Sequence, residues 1–383
     1  NMAESVIKSY FPSQVVSDAE KLSYDYGLKV AKAIETEWFF QDRGHNRYDS
    51  NFNNFHKLRL YARGEQPVQK YKDELSINGD LSYLNLDWTP VPIIPKFVDI
   101  VVNGIADRAF DIKAYSQDPY GVAKRTEYME SILGDMATKE MNDFAAEEFG
   151  INLYQNDPST LPETKEELEL HMQLTYKQNV ELANEQAINV LLDGSNYELT
   201  KKRFYYDLAT IGIGATKTNF TTSEGVTVEY VDPANLVYSY TESPYFEDIY
   251  YVGEVKTIPI NELAKQFPHL SQEDLKEIQQ TGYTQKSNYH DSGPRYEDVD
   301  QNKVEVLYFN YKTYMNEVYK IKETGSGADK AIEKDDSFNP PSEAQGSFSK
   351  LERAIETLYE GALILGTNKL LKWEMSENMM RPK

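Results

Sequence analysis

The chain has 383 residues, no cysteine, and 62 acidic against 40 basic side chains, a formal net charge of −22. That length allows two or three modest domains with a real core. The acidity excludes a protein that wraps nucleic acid by neutralising its phosphates, and the missing thiols exclude disulfide frameworks and thiolate metal sites and fit a reducing compartment.

Along the chain, Asn1 ahead of Met2 suggests a trimmed start, and no basic-then-apolar signal pattern follows. Leu22, Tyr26, Val30, Ala33, Ile34 and Trp38 recur at helical spacing and predict an amphipathic helix over 18–39. Phe52, Phe55, Leu58 and Tyr61 predict a second, stopped at Gly64. SINGDLSYLNLDWTPVP reads as a polar loop. Pro95 stands where a first-turn proline belongs, and Ile94, Phe97, Val98, Val101 and Ile105 mark one apolar face of a helix reaching about Arg108. This is the most apolar stretch of the chain, yet Pro95, Lys96, Asp99 and Asn103 interrupt it, so it predicts no membrane span. AFDIKAYS alternates as a strand does, and DPYG turns the chain.

Two long helices are predicted over about 121–147 and 163–193. The second has Thr164 as N-cap and Gly194 as its stop, roughly 40 Å at 1.5 Å per residue. A further helix, NYELTKKRFYYDLATIG, leads into GIGATKT at 212–218. That motif resembles a phosphate-binding loop, but Thr216 holds the place before the lysine where glycine is required. Its surroundings also run helix then strand, the reverse of the order that aims a helix N-terminus at an anion. Gly212 and Gly214 therefore read as a helix stop, with Lys217 on an exposed strand.

ATKTNF and VTVEYVD predict a hairpin through the turn TSEG, and LVYSY and DIYYVGEVKTI two more strands. Short helices are expected at PINELAKQF and at SQEDLKEIQQ, the latter capped by Ser271 and Asp274. Residues 281–300 and 323–350 are rich in Gly, Ser, Pro and Asp and read as loops. KVEVLYFNYKTYMNEVYKIK lies between them as strand, and TLYEGALILGTNKLLKW reads as a hairpin. These readings divide the chain into a helical N-terminal segment (1–80), a helical core (81–214), a β-rich part (215–322), a mobile loop (323–350) and a closing hairpin (351–383). The fold class is α+β, long helices packed on short, mostly antiparallel sheets.

Candidate chemistry is sparse. His45, His56, His171, His269 and His290 form no H-x-x-x-H pair, so no zinc site is expected. Glu247 with Asp248, and Asp87 beside Trp88, are acidic positions that read best as turn residues. No G-x-S-x-G occurs. Lys201, Lys202 and Arg203 form the densest basic run, read either as a polar helix face or as a phosphate contact. Trp38, Trp88 and Trp373 read as core or interface anchors.

The order of segments is more informative than any one of them. PIIPKFVDIVVNGIADRAFDIKAY is followed by long helices, then DLATIGIGATKTNF (207–220), VDPAN (231–235), EDIYYVGEV (247–255) and INELAKQFP (260–268). Over about residues 80–270 this resembles the portal proteins of tailed bacteriophages, and its tyrosine-rich acidic style is similar to those of crAss-like phages. LYEGALILGTNKLLKWEMSENMMRP also fits the β-rich part that precedes the channel helices of portals. The resemblance implies a portal-type wing and a homo-oligomeric ring, usually a dodecamer, at one capsid vertex. Its implied partners are the major capsid protein, the terminase packaging motor, the head-tail adaptor and, transiently, double-stranded DNA, with no membrane. It implies no catalytic residue and no cofactor, and a location in the virion after assembly in the host cytoplasm. The stem helices, clip and crown of portals are not recognisable here, so channel-lining residues are expected beyond Lys383. Another virion structural subunit (tail or baseplate) and an acidic carbohydrate-active hydrolase are the alternative readings.

Overall fold

A computed structural model of the chain describes residues 9–41, 51–66, 68–80, 83, 85–108, 110–221, 225–289, 302–323, 329–339 and 348–376. Its helices are α1 (Asp18–Lys21), α2 (Tyr24–Gln41), α3 (Asn51–Ala62), α4 (Gln69–Leu75), α5 (Ile94–Ala106), α6 (Pro119–Ala137), α7 (Lys139–Phe149), α8 (Lys165–Leu174), α9 (Asn179–Gly194), α10 (Tyr197–Thr210), α11 (Ile260–Gln266) and α12 (Gln272–Tyr289). Its strands are β1 (Ala215–Thr221), β2 (Gly225–Val231), β3 (Leu236–Tyr238), β4 (Tyr251–Pro259), β5 (Lys303–Glu323), β6 (Asp329–Lys334), β7 (Phe348–Ile364) and β8 (Leu370–Met375). The α+β class is borne out. The chain divides into two compact units, one of residues 1–94 with 231–383 and one of residues 95–230.

The first unit is built on a six-stranded sheet of order β3-β4-β5-β7-β8, with β6 paired to the far end of β5. Every pair in it is antiparallel. Along β5 successive side chains point to opposite faces, and both faces are covered. Leu307, Phe309 and Tyr311 pack with Tyr26, Val30, Ala31 and Ile34 of α2. Val304 and Val306 pack with Leu263 of α11, with Phe267 just after it, and with Ile278 of α12. Burial on both faces explains why this stretch of β5 reads as a near-continuous apolar run. Trp373 anchors the α2 side, stacked on Tyr359 at 4.8 Å and donating its indole N–H to the Lys21 carbonyl at 2.9 Å. Trp38 packs against the same cluster.

One break in the sheet is filled by a helix. On one edge of β5, β4 pairs as far as Tyr311 and β6 begins only at Val318. In the interval, α1 takes the place of a strand. The Asp18 carboxylate accepts the Asn316 N–H at 3.1 Å, and the Lys21 ammonium donates to the Tyr314 carbonyl. Tyr314 and Asn316 are two residues apart and turn their peptide groups to the same edge. Lys21 is buried because it closes this gap.

The second unit is mostly helical, with β1 and β2 forming a separate two-stranded sheet. Its buried apolar cluster is small, Ile132, Leu168 and Met172, with Tyr128, Met136, Leu161 and Tyr176 packed against it. Buried carboxylates supply a second kind of tie. Asp135 accepts the Gln155 and Asn156 N–H groups at 3.1 and 2.9 Å. Glu181 accepts the Ser116 and Gln178 N–H groups at 2.8 and 3.0 Å, and Glu185 that of Ala114 at 2.9 Å.

Several expectations are corrected. Residues 110–116 of AFDIKAYS form no strand: the backbone donors at Ala114 and Ser116 are taken by the Glu185 and Glu181 carboxylates rather than by a neighbouring strand. Each long helix is two. α6 and α7 part at Thr138, and α8 and α9 part over Thr175–Gln178, so 163–193 is not one 40 Å rod. At that second break Glu181 reaches back to the Gln178 N–H and starts a new helix. The Thr164 cap and the Ser271–Asp274 cap form as expected. α4 was not anticipated. α12 runs through 281–289, where a loop was expected; 290–301 lie outside the described residues. Within the expected mobile loop 323–350, β6 is an ordered strand paired to β5, while 324–328 and 340–347 lie outside the described residues. The expected divisions at 80, 214 and 322 do not match the two units, because the N-terminal α2 completes the core of a sheet drawn from 236–375.

Candidate functional site

The helical unit carries the surface that asks for a function. α5 opens with Pro95 in its first turn, as read from the sequence, but the apolar face is turned the other way. Val102 and Ala106 are buried and Val98 is half-buried, so the inward stripe is 98, 102, 106. Phe97, Ile100, Val101 and Ile105 face outward, Phe97 with 61% and Ile100 with 59% of its surface exposed. Further large apolar side chains are exposed elsewhere in this unit, including Met141, Phe144 and Phe149 of α7. Monomeric proteins rarely leave contiguous apolar patches of this kind uncovered.

Where α5 ends, a polar cleft of about 550 Å³ opens among Ala106, Arg108, Phe110, Asp193, Tyr197 and Lys201. The basic run 201–203 does not act as one patch. Lys201 is buried at its edge, paired with Glu198 at 3.0 Å and held over the Phe110 ring at 5.1 Å. Lys202 and Arg203 are exposed, and the Arg203 guanidinium lies 5.5 Å over Tyr230. Arg108 and Lys201 meet Asp107, Asp193 and Glu198 in the same cleft, so it carries no excess of positive charge for a phosphate.

The carboxylate ties show their electrostatics. Burial pushes the Glu181 carboxyl up, but the Gln178 and Ser116 N–H groups and Arg125, 2.7 Å away, outweigh it and hold it below its ordinary value. Glu185 is depressed by its bond to Lys177 at 2.6 Å and by the Ala114 N–H. Asp135 is likewise depressed, its bonds to Gln155 and Asn156 overcoming burial. These three carboxylates were not singled out from sequence, where nothing separates them from the other acids.

The remaining candidates settle into structural places. GIGATKT follows α10 and leads into β1, the order expected. Gly212 is left-handed (φ 79°), and a Cβ on Gly214 would meet the Phe204 ring at 2.7 Å. Lys217 is half-buried rather than exposed. His171 meets the Tyr128 hydroxyl at 3.0 Å, and His269 lies edge-on to Phe267. His56 lies on α3; His45 and His290 lie outside the described residues. Asp87 accepts the Thr89 N–H, Asp248 the Thr241 hydroxyl, and Glu247 the Ser243 hydroxyl, all as turn residues. Trp88 is half-buried, with Lys72 5.6 Å above its ring. Among the described residues no group of three His, Asp or Glu could hold a metal ion, and no helix is long and apolar enough to cross a membrane. No known family profile and no curated protein matches this chain.

Proposed function

We propose that this chain is a structural subunit that assembles with copies of itself into a closed ring, the portal of a tailed bacteriophage. Such a ring, a dodecamer by the family's habit, would sit at one capsid vertex of the virion, pass DNA, and hold the packaging motor and later the tail. The observation that carries the reading is the outward apolar stripe of α5 on a unit whose own buried core is small. Such a surface needs a partner, and a homo-oligomer supplies one at every subunit. The segment order of residues 80–270 supports the portal in particular. The strong acidity suits a passage that DNA must slide through without being held. The reading assigns no catalytic residue and no cofactor.

Native mass spectrometry and symmetry-free image classes of the full chain test it. Rings with a central hole are expected, and Phe97→Asp with Val101→Asp should weaken their assembly at least tenfold while far-UV circular dichroism stays unchanged. A monomer at all concentrations, or a two-fold dimer without a hole, would overturn the ring.

A further inference from the structure

Three strands run on together past the helix-covered part of the sheet. β5 from Val318 onward is flanked by β6 on one side and by the first part of β7 on the other. The register places Val318, Lys320 and Lys322 beside Lys334, Ile332 and Lys330 on β6, and beside Glu352, Lys350 and Phe348 on β7. Directly opposed residues and alternate residues share a face. One face of this ribbon therefore carries five lysines and one carboxylate, in a chain whose net charge is −22. Lys320 and Lys322 both lie over the Phe348 ring, at 3.7 and 5.5 Å, which agrees with that placement. Lys322, Lys330 and Lys334 are exposed.

The ribbon also has open edges. β8 pairs only with Tyr359–Leu363 of β7, so among the described residues no strand pairs along the outer side of β7 from Phe348 to Thr357. β6 is likewise the outermost strand on its side. Unpaired strand edges are templates for a further strand from a protein partner. Ile332 and Leu351, on opposite faces, are 41% and 52% exposed. A polyanion would use the lysines alone; a protein partner would use lysines, edges and apolar side chains together.

We propose that this ribbon docks on the acidic surface of a second copy of this chain. The charge selects the partner: a positive face on an otherwise strongly acidic subunit is complementary to the rest of that same subunit. The inference rests on the self-assembly proposed above and names a surface that produces it. A ribbon meeting a different, acidic face of the next copy is a heterologous contact, the kind that closes rings, and it offsets the repulsion between like-charged subunits.

The test mixes isotopically labelled and unlabelled full-length chain and joins lysines to carboxylates with a zero-length carbodiimide cross-linker. Hybrid cross-links from Lys322, Lys330 or Lys334 to carboxylates of the other copy are expected. K322E/K330E/K334E should lose them and associate at least tenfold more weakly, with unchanged circular dichroism; K322Q/K330Q/K334Q serves if the reversal fails to fold. Rings that persist in a folded variant would overturn the docking while leaving the ring reading intact. A lysine-dependent dimer without a central hole would support the docking and overturn the ring. A wild-type monomer would overturn both. Lysine-dependent binding of a duplex DNA fragment, with self-association untouched, would make the partner a polyanion and overturn the proposal.

Discussion

Lys21 shows how far a residue's place can lie from its type. A lysine on a four-residue helix reads as surface, yet it is fully buried, its ammonium on the Tyr314 carbonyl and 3.7 Å over that ring. Burial pulls its pKa down, while Asp18 and Asp336 push it back up. Lys21→Ala would leave a buried carbonyl and two carboxylates without it. A loss of about 3 kcal/mol is expected, read as a lower urea midpoint at unchanged slope. Glycines make a second residue-scale contrast. A Cβ on Gly361 would run into the Phe309 ring, whereas one on Gly104, mid-helix in α5, meets nothing within 4 Å. Gly361→Ala should cost about 1–3 kcal/mol by overpacking, and Gly104→Ala should stabilise by about 0.5–1 kcal/mol. Equal effects in chemical denaturation would contradict the packing described here.

At the scale of elements, the helical unit is joined by carboxylates where a larger core would use side-chain burial. Asp135, Glu181 and Glu185 all have folded-state pKa values below the ordinary 3.8 and 4.5. A depressed carboxylate contributes stability above its unfolded pKa and loses it as pH falls through the folded value. This unit should therefore weaken progressively below about pH 4.5. Glu181→Gln should lower its stability at pH 7 by about 2 kcal/mol and flatten that acid dependence. An unchanged pH profile would show that Glu181 does not tie α9 to residue 116. In the sheet unit the sign reverses. Burial raises Glu35 and Asp18, so their contribution is fully present below the unfolded values and is lost as pH rises through the folded ones.

For the whole molecule, the two units differ in what holds them, and they should unfold separately. Calorimetry is expected to show two transitions, the helical unit first because its buried apolar cluster is small. Acid should move the first transition down more than the second. Lys21→Ala should move only the second and Glu181→Gln only the first. A single two-state transition at every pH would mean that the units fold as one.

Much of this was legible in the sequence, because local chemistry writes it there. The Thr164 and Ser271 caps and the Gly212 stop each depend on a few adjacent residues, and so does the helix-then-strand order that removed GIGATKT from the nucleotide binders. Periodicity found α5 but not which side of it is buried, because Phe97 and Val102 are equally apolar and only packing chooses between them. The false strand at 110–116 and the buried lysine share one cause. Each depends on a partner far along the chain: Glu185 for Ala114, Glu181 for Ser116, β5 for Lys21. The lysine ribbon is the same case. Lys320, Lys330 and Lys350 are scattered in sequence, and only the register of three antiparallel strands brings them onto one face. Composition determined the acidity and local pattern most of the elements; which residues meet was decided by long-range pairing, which no short window of sequence contains.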